Sequence, residues 1–225
     1  ENPQYEDPAG KPKTIKYMSP EFKELFAKTV RFMVAELKKA GLDYDDYMIQ
    51  HIDEAHDGLA KKVVEMGKLA RQIDPKLRWA QTVMAPLEQV KMMAPYSDCI
   101  MYRGEAYWSP EAARWYRERQ AEGTVLWQFK QLGLARGTPQ VHMWNRLRQW
   151  RTWLNGWSGS ATFVYSACVY LPYEEPIPVR HWEAVREGNE DYQYFAMVRE
   201  LARKVEKQDL KRAKQALKLV DDLVQ

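Results

Sequence analysis

Residues 47–83, YMIQHIDEAHDGLAKKVVEMGKLARQIDPKLRWAQTV, decide the fold class because they contain a complete strand–helix–strand unit. The apolar run over 47–52 predicts a β-strand, and apolar residues at helical spacing from Asp57 to about Gln72 predict the helix that follows. A second apolar run, from Leu77 to Val83, predicts the next strand. Two successive strands joined through a helix lie parallel in one sheet, so this stretch indicates an α/β protein.

The same unit repeats along the rest of the chain. Apolar runs predict three further strands, at 99–102, 124–129 and 160–165. Helical periodicity, capping residues and Pro or Gly boundaries predict helices at 20–41, 87–93, 110–123, 139–154, 180–204 and 208–224. Five strands therefore alternate with helices at spacings of about 20 to 36 residues.

Two architectures fit this alternation, a doubly wound open sheet and part of a (β/α)8 barrel. No Gly-rich phosphate loop follows any predicted strand, which weakens the nucleotide-binding version. Polar and aromatic residues instead gather at the carboxyl ends of the predicted strands, where a barrel places its chemistry. We predict an α/β fold of the (β/α)8 TIM type, of which this chain supplies about the last five β/α units.

The predicted organisation has three parts, a loop over 1–16, the barrel portion over 17–205 and a C-terminal helix over 206–225. The chain opens with Glu1-Asn2-Pro3, which we interpret as a cut inside a longer protein whose upstream segment completes the barrel. The compartment is not predicted from this N-terminus. Cys99 and Cys168 both lie in apolar surroundings, a pattern typical of buried free thiols, with one disulfide as the alternative.

The composition limits the kinds of partner. The 225 residues are 45% hydrophobic and 29% charged, typical of a globular protein with a substantial core. The formal net charge is only +3, so we expect neither nucleic acid nor an anionic membrane surface as a partner. No apolar run reaches the roughly 18 residues that a membrane-spanning helix needs.

The densest chemical cluster is IQHIDEAHD, over 49–57. Acidic residues are poorly suited to a strand interior, so two in succession, Asp53 and Glu54, require a reason. A structural reason is an acidic cap for the next helix, although Asp57 already supplies that cap.

A metal site is the second explanation, since His51, Asp53, Glu54 and His56 are all possible ligands. Histidine pairs that bind zinc from a helix are spaced four residues apart, which places both on one face. Here the two histidines are five apart and straddle a strand end, so their rings would diverge. We predict no metal and no cofactor.

The third explanation is acid catalysis on a glycosidic bond. Neighbouring residues in a strand point to opposite faces, so Asp53 and Glu54 can share a cleft only where the strand breaks into a loop. They would then flank the substrate from one side, unlike a nucleophile and an opposed acid. That arrangement favours substrate-assisted catalysis, in which a 2-acetamido carbonyl of the sugar attacks the anomeric carbon. Glu54 would protonate the leaving oxygen, and Asp53 would accept a hydrogen bond from the acetamido N–H.

Three stretches resemble the catalytic domain of glycoside hydrolase family 123, formerly domain of unknown function 4091. Residues 180–194, RHWEAVREGNEDYQY, resemble the signature R-x-E-A-x-R-E-G-x-E-D-Y-E-Y of that family. Residues 153–159, WLNGWSG, are similar to its Trp and paired Gly before the last strand. The Asp53-Glu54 pair falls where the family has adjacent Asp and Glu after a strand. The resemblance extends from about Tyr17 to Arg203.

The resemblance implies a barrel and a retaining, substrate-assisted, exo-acting β-N-acetylhexosaminidase, most typically one that acts on terminal β-linked N-acetylgalactosamine. It gives Glu54 the acid/base role and Asp53 the role of orienting the acetamido group, and it implies a secreted or periplasmic protein. Ala55 departs from the pattern, because many relatives have Pro there. A non-catalytic carbohydrate-binding or scaffold barrel is the alternative function, and a hydrolase for sugars without an acetamido group is a third.

Aromatic residues are numerous, with nine Trp and thirteen Tyr. Aromatic rings stack on the apolar faces of sugars, but they also fill cores. Tyr102, Trp127 and Tyr165 lie nearest to strand ends and are our candidates for a sugar platform, and Trp108 and His51 complete the predicted substrate-binding residues. The charged positions of the 180–194 signature recur at helical spacing, and we interpret them as ion pairs that pack this helix rather than as catalytic groups.

Overall fold

The computed structural model describes residues 4–6, 12–103, 108–131, 139–163, 169–170, 177–178 and 180–224. In these ranges the α-helices are α1 Pro20–Lys39, α2 Gly58–Ile73, α3 Leu87–Met93, α4 Pro110–Ala121, α5 Pro139–Leu154, α6 Arg180–Val205 and α7 Leu210–Val224. The strands are β1 Gln4–Glu6, β2 Pro12–Thr14, β3 Ile49–Gln50, β4 Trp79–Val83, β5 Cys99–Tyr102, β6 Val125–Gln131, β7 Gly159–Phe163, β8 Val169–Tyr170 and β9 Ile177–Pro178.

The strands β3 to β7 form one parallel sheet in which the order β3-β4-β5-β6-β7 follows the chain. A doubly wound sheet reverses its strand order at a switch point, whereas successive strands of a barrel are neighbours all the way round. The α/β fold and its sequential parallel sheet are therefore consistent with part of a barrel. By contact density the chain divides into two compact units, Glu1–Cys99 and Ile100–Gln225.

The first unit begins its helical layer with α1, at the predicted position. The hydroxyl of Ser19 accepts the backbone N–H of Phe22 at 3.2 Å, and Pro20 occupies the first turn. Gly41 follows the helix with φ +83°, a conformation that favours glycine. The inner face of α1 meets α2 and β4 in a core of buried side chains, Val30, Val34, Ala70, Leu77 and Trp79.

The second unit is organised around the packing of α5 against α6. Arg146 on α5 pairs with Asp191 on α6, with Nε and Oδ2 2.6 Å apart, and also contacts Glu187 at 3.0 Å. The indole N–H of Trp150 donates to Asp191 at 2.7 Å. Burial raises the pKa of Asp191, but these hydrogen bonds and the Arg146 charge outweigh it, so its pKa lies below the usual value.

Of the charged positions in the α6 signature, Glu187 has the predicted packing role, because it pairs with Arg146 on α5. Arg186 pairs within the helix with Glu183 and Glu190, at 2.8 and 2.5 Å. Its glycine, Gly188, lies so close to α5 that an added Cβ would come within 2.7 Å of the Arg146 carbonyl oxygen. Residue 188 must therefore be small.

Some local predictions were wrong. A loop was predicted over 1–16, yet β1 and β2 pair as an antiparallel hairpin. The pair β8–β9 was not predicted either, because strands of two residues are too short to produce an apolar pattern. Asp57 precedes α2 as predicted, but its carboxylate makes no capping hydrogen bond and instead accepts the side-chain N–H of Gln89 at 3.2 Å.

Two smaller predictions concern cysteine and the membrane. Cys99 is a buried free thiol as predicted, and burial raises its pKa to about 12, whereas Cys168 lies outside the described residues. In the described ranges, no helix has both the length and the apolar character that crossing a bilayer requires.

Candidate active site

The carboxylate pair lies in a break in strand pairing. Ile49 and Gln50 pair with Trp79 and Ala80, an offset of 30 residues (79 − 49). Ala55 then pairs with Val83, an offset of 28 (83 − 55). Two extra residues therefore bulge out of the first strand between these pairs, and the bulge, residues 51–54, contains both acids. The strict alternation of faces does not apply inside it.

Side-chain amides hold this bulge in place. The Nε2 of Gln50 donates to Asp53 Oδ1 at 3.0 Å and to Thr82 Oγ1 at 2.6 Å. From β4, the Nε2 of Gln81 donates to the carbonyl oxygen of Ile52 at 2.7 Å. Gln81 and Thr82 are each only 1% exposed, so the bulge is anchored to a rigid part of the sheet.

Asp53 and Glu54 are also joined to each other. The Oδ1 of Asp53 accepts the backbone N–H of Glu54 at 3.0 Å, in addition to the Gln50 amide. In the described part of the chain, the second carboxylate oxygen, Oδ2, has no hydrogen-bonding partner. Asp53 is exposed and Glu54 is half-buried. One oxygen of Asp53 is thus occupied in fixing the carboxylate, and the other remains available to a ligand.

The backbone of this segment adopts an unusual conformation. Glu54 has φ +45° and Asp57 has φ +44°, in the left-handed region that residues other than glycine rarely adopt. Such a conformation costs about 1–3 kcal/mol and persists where surrounding contacts enforce it, often at functional sites. At Glu54 the enforcing contacts are the Asp53 hydrogen bond on one side and the pairing of Ala55 with β4 on the other.

Ala55 closes the bulge by rejoining the sheet. Its N–H donates to the Thr82 carbonyl at 3.0 Å, and its carbonyl accepts the N–H of Met84 at 3.4 Å. The side chain is completely buried. The departure from Pro at this position therefore has a local explanation, since Pro has no N–H for the bond to Thr82.

The two histidines lie in different surroundings. The ring of His51 packs edge-on against Trp79, with centroids 4.8 Å apart, and burial lowers its pKa to about 4 against a smaller opposing effect of the Val63 backbone. His51 is therefore neutral near pH 7 and packs in the first unit. His56 is exposed, and its Nδ1 lies 3.6 Å from Asp57. Across the described ranges, no three His, Cys, Asp or Glu side chains converge as metal ligands would.

Two of the predicted substrate-binding residues lie together in the second unit. Tyr102 and Trp108 belong to an aromatic cluster with Tyr116 and Trp157, and the Tyr102 and Trp108 ring centroids are 5.4 Å apart. Trp127 is not part of it, because its indole lies over Gly159. Tyr165 lies outside the described residues. A substrate-binding role for these residues and for His51 stays a prediction.

Three residues that position the pair were not predicted from the sequence, Gln50, Gln81 and Thr82. A signal was present, since Gln81 and Thr82 are polar residues within a strand whose five positions are all buried. Buried polar side chains need hydrogen-bonding partners, and here the partners are the bulge and its neighbours.

Comparison with solved structures gives the fold a precedent. A family 123 glycoside hydrolase from Clostridium perfringens, studied for glycolipid glycan hydrolysis, superposes with a TM-score of 0.67 over 99% of this chain. This chain shares the fold of a family 123 glycoside hydrolase. The predicted resemblance is thus confirmed as a likeness of fold, at 12% sequence identity.

The likeness covers only part of the larger protein. This chain spans about half of the clostridial enzyme, 49% of its length. No protein-family model matches the sequence. No curated protein matches it either.

Proposed function

We propose that this chain carries the reaction centre of a glycoside hydrolase, an exo-acting β-N-acetylhexosaminidase built on a (β/α)8 barrel. The observation that supports it most directly is the bulge at residues 51–54, which frees Asp53 and Glu54 from strand alternation and fixes one beside the other. The shared fold with a family 123 enzyme supports the same reaction class by analogy.

The proposed reaction proceeds with retention of configuration. Glu54 transfers its proton to the glycosidic oxygen as the bond from that oxygen to the anomeric carbon breaks. The carbonyl oxygen of the sugar's own 2-acetamido group forms a bond to the same carbon, which gives an oxazolinium ion. Glu54, now a carboxylate, removes a proton from water, and the water oxygen attacks the anomeric carbon. The oxazolinium ring opens, and the acetamido group is restored.

Asp53 acts on the acetamido group in this scheme. Its Oδ1 is held by Gln50 and by the Glu54 N–H, so Oδ2 is the oxygen that accepts the acetamido N–H. The negative charge also stabilises the positive oxazolinium ion. A carboxylate fixed before the substrate arrives contributes to catalysis because it does not have to reorganise during the reaction.

The substrate class we propose is a glycan that ends in a β-linked N-acetylhexosamine, most typically N-acetylgalactosamine. The clostridial neighbour is studied for hydrolysis of glycolipid glycans, so glycolipids are the first natural substrates to test.

The decisive experiment compares two aryl glycosides on the full-length protein, the β-N-acetylgalactosaminide and the plain β-galactoside. We expect release of the aryl group from the first only, because the second lacks the internal nucleophile. Equal rates on both would exclude acetamido participation and leave a glycosidase of another mechanism. Binding of both without turnover would instead support the non-catalytic carbohydrate-binding alternative.

A further inference from the structure

A cavity of about 290 Å³ lies in the second unit. Its walls are three aromatic and three polar side chains, Tyr102, Trp108, Trp157, Gln128, Arg151 and Asn155. A volume near 300 Å³ is at the lower end of the range for small-ligand pockets and suits a single sugar ring.

The cavity lies on the helix-facing side of β6. Gln128 accepts a hydrogen bond from the hydroxyl of Thr152 on α5 at 3.3 Å, so its side chain points toward α5. Its strand neighbour Trp127 points to the other face, over Gly159. A barrel presents its substrate at the carboxyl ends of the strands, not between the sheet and the helical layer. The cavity is therefore a different kind of site from the carboxylate pair.

The aromatic wall is rigid. Trp108 lies nearly parallel to Tyr116, at an interplanar angle of 12°, and perpendicular to Trp157, at 79° with centroids 5.5 Å apart. Trp157 is 3% exposed and Tyr102 is 6% exposed, so the rings are held by neighbours on nearly every side. Little side-chain entropy would be lost when a ligand packs against such a wall.

The polar wall offers both a donor and an acceptor. Asn155 donates through Nδ2 to the Arg151 carbonyl at 2.9 Å, and Gln128 uses its Oε1 for Thr152. In the part of the chain that the structure describes, Oδ1 of Asn155 and Nε2 of Gln128 have no hydrogen-bonding partner. A sugar hydroxyl both donates and accepts, and one ring could satisfy both amides.

We propose that this cavity binds one neutral sugar ring, with an apolar face of the sugar on the half-buried Trp108, which Trp157 supports from the side, and hydroxyls on Gln128 and Asn155. A hydrocarbon chain would form no hydrogen bonds with the two amides, and a small ion would make no apolar contact with the aromatic wall. The site does not depend on the carboxylate pair, so it stands whether or not the protein is a glycosidase.

The test is isothermal titration calorimetry of the full-length protein with N-acetylgalactosamine and, separately, with galactose. The Asp53→Asn/Glu54→Gln double variant serves as the parent, so that the proposed catalytic pair is disabled. We expect saturable binding in the millimolar range, weakened at least about tenfold by Trp108→Ala, as loss of a stacking ring predicts. The control is Trp182→Ala, which removes an indole that is 39% exposed on α6, and it should leave the affinity unchanged.

A second variant tests the proposal even if Trp108→Ala does not fold. Asn155→Ala leaves the aromatic wall intact, and it should weaken binding several-fold while the thermal midpoint stays within a few degrees of the parent. Absence of saturable binding by either sugar in the parent would overturn the proposal. Binding that survives both Trp108→Ala and Asn155→Ala would also overturn it, because the sugar would then occupy another site.

Discussion

The carboxylate of Asp53 accepts the backbone N–H of Glu54 at 3.0 Å, so each residue of the pair fixes the other. The bond helps to hold Glu54 at φ +45°, and that conformation turns the chain back toward β4 at Ala55. The pair is therefore a single structural unit, and a change at one residue is expected to affect the position of the other.

The proposed roles of the two acids predict different substrate dependence in their variants. Glu54→Gln removes the proton donor, so turnover of a glycoside with a poor leaving group should fall by about 10²- to 10⁴-fold. An aryl glycoside with an acidic leaving group needs little protonation and should lose less. Asp53→Asn should slow both substrates equally, because the acetamido group participates in either case. Turnover numbers for the four combinations check this, and a normal rate in Glu54→Gln would remove Glu54 from the mechanism.

Gln50 is a positioning residue whose loss should reduce turnover more than stability. Gln50→Leu removes the donor to Asp53 Oδ1 and to Thr82 Oγ1. Since Gln50 is exposed, we expect a stability loss of only about 1 kcal/mol. A misplaced carboxylate should lower kcat at least about tenfold with a smaller change in KM. Gln215→Leu, at an exposed position of α7, is the control. Equal kcat in the two variants would refute the role.

Proline at position 55, which is common in the family that this sequence resembles, should destabilise this chain. Ala55→Pro removes the N–H bonded to the Thr82 carbonyl, and proline also restricts the residue before it, here Glu54 at φ +45°. We expect a loss of about 3 kcal/mol in the free energy of unfolding, measured in urea. Ala55→Gly keeps the N–H and should cost about 1 kcal/mol. A proline variant as stable as the glycine variant would contradict this account of residue 55.

Much of the fold could be predicted because it depends on local signals. The boundaries of α1 follow from Ser19, Pro20 and Gly41, and α3, α5 and β5 have the predicted bounds. Periodicity and capping are properties of neighbouring residues, so one sequence is enough to reveal them.

The bulge could be predicted only in part. That Asp53 and Glu54 need a break in the strand follows from the alternation of strand faces. The number of extra residues depends on the register against β4, which is a contact between distant segments. The same holds for Gln81, whose partner, the Ile52 carbonyl, is 29 residues away. For the aromatic residues, composition could not distinguish a stacked cluster from a surface platform.

His51 should make stability depend on pH. Burial lowers its pKa from 6.5 to about 4, so between these values the unfolded chain binds more protons than the folded one. The contribution of neutral His51 to the free energy of unfolding is fully present above pH 6.5. It declines as pH falls toward 4, by at most about 1.4 kcal/mol per pH unit. The measurement is urea unfolding across pH 4 to 7. His51→Phe keeps an aromatic ring against Trp79, and it should show a shallower slope over this range. If the free energies of unfolding of His51→Phe and of the parent protein changed in parallel with pH, His51 would not be the source of the pH dependence.

The close contact between α5 and α6 at Gly188 predicts that alanine destabilises the protein at this position but not at an open one. In Gly188→Ala the new Cβ would lie 2.7 Å from the Arg146 carbonyl oxygen, so one helix must shift. We expect a loss of about 1–3 kcal/mol in the free energy of unfolding. Gly58→Ala, at the start of α2, meets nothing within 4 Å and should be neutral or slightly stabilising. Similar losses in both variants would show that the α5–α6 distance is not the cause.

The bulge at residues 51–54 also leaves unchanged which side chains beyond it face inward and which face outward, because it adds an even number of residues. If the strand continued without a bulge in the register of Ile49 and Gln50, Asp53 would stand opposite Val83 in the position that Ala55 occupies, with its charge in a fully buried place. Inserting one residue would have exchanged the inner and outer faces of everything that followed. Two is the smallest even number, so the chain lifts a pair of charged side chains out of the interior while the remaining strand keeps its original orientation. A sheet can in this way acquire polar chemistry at its edge without any rearrangement of its hydrophobic pattern.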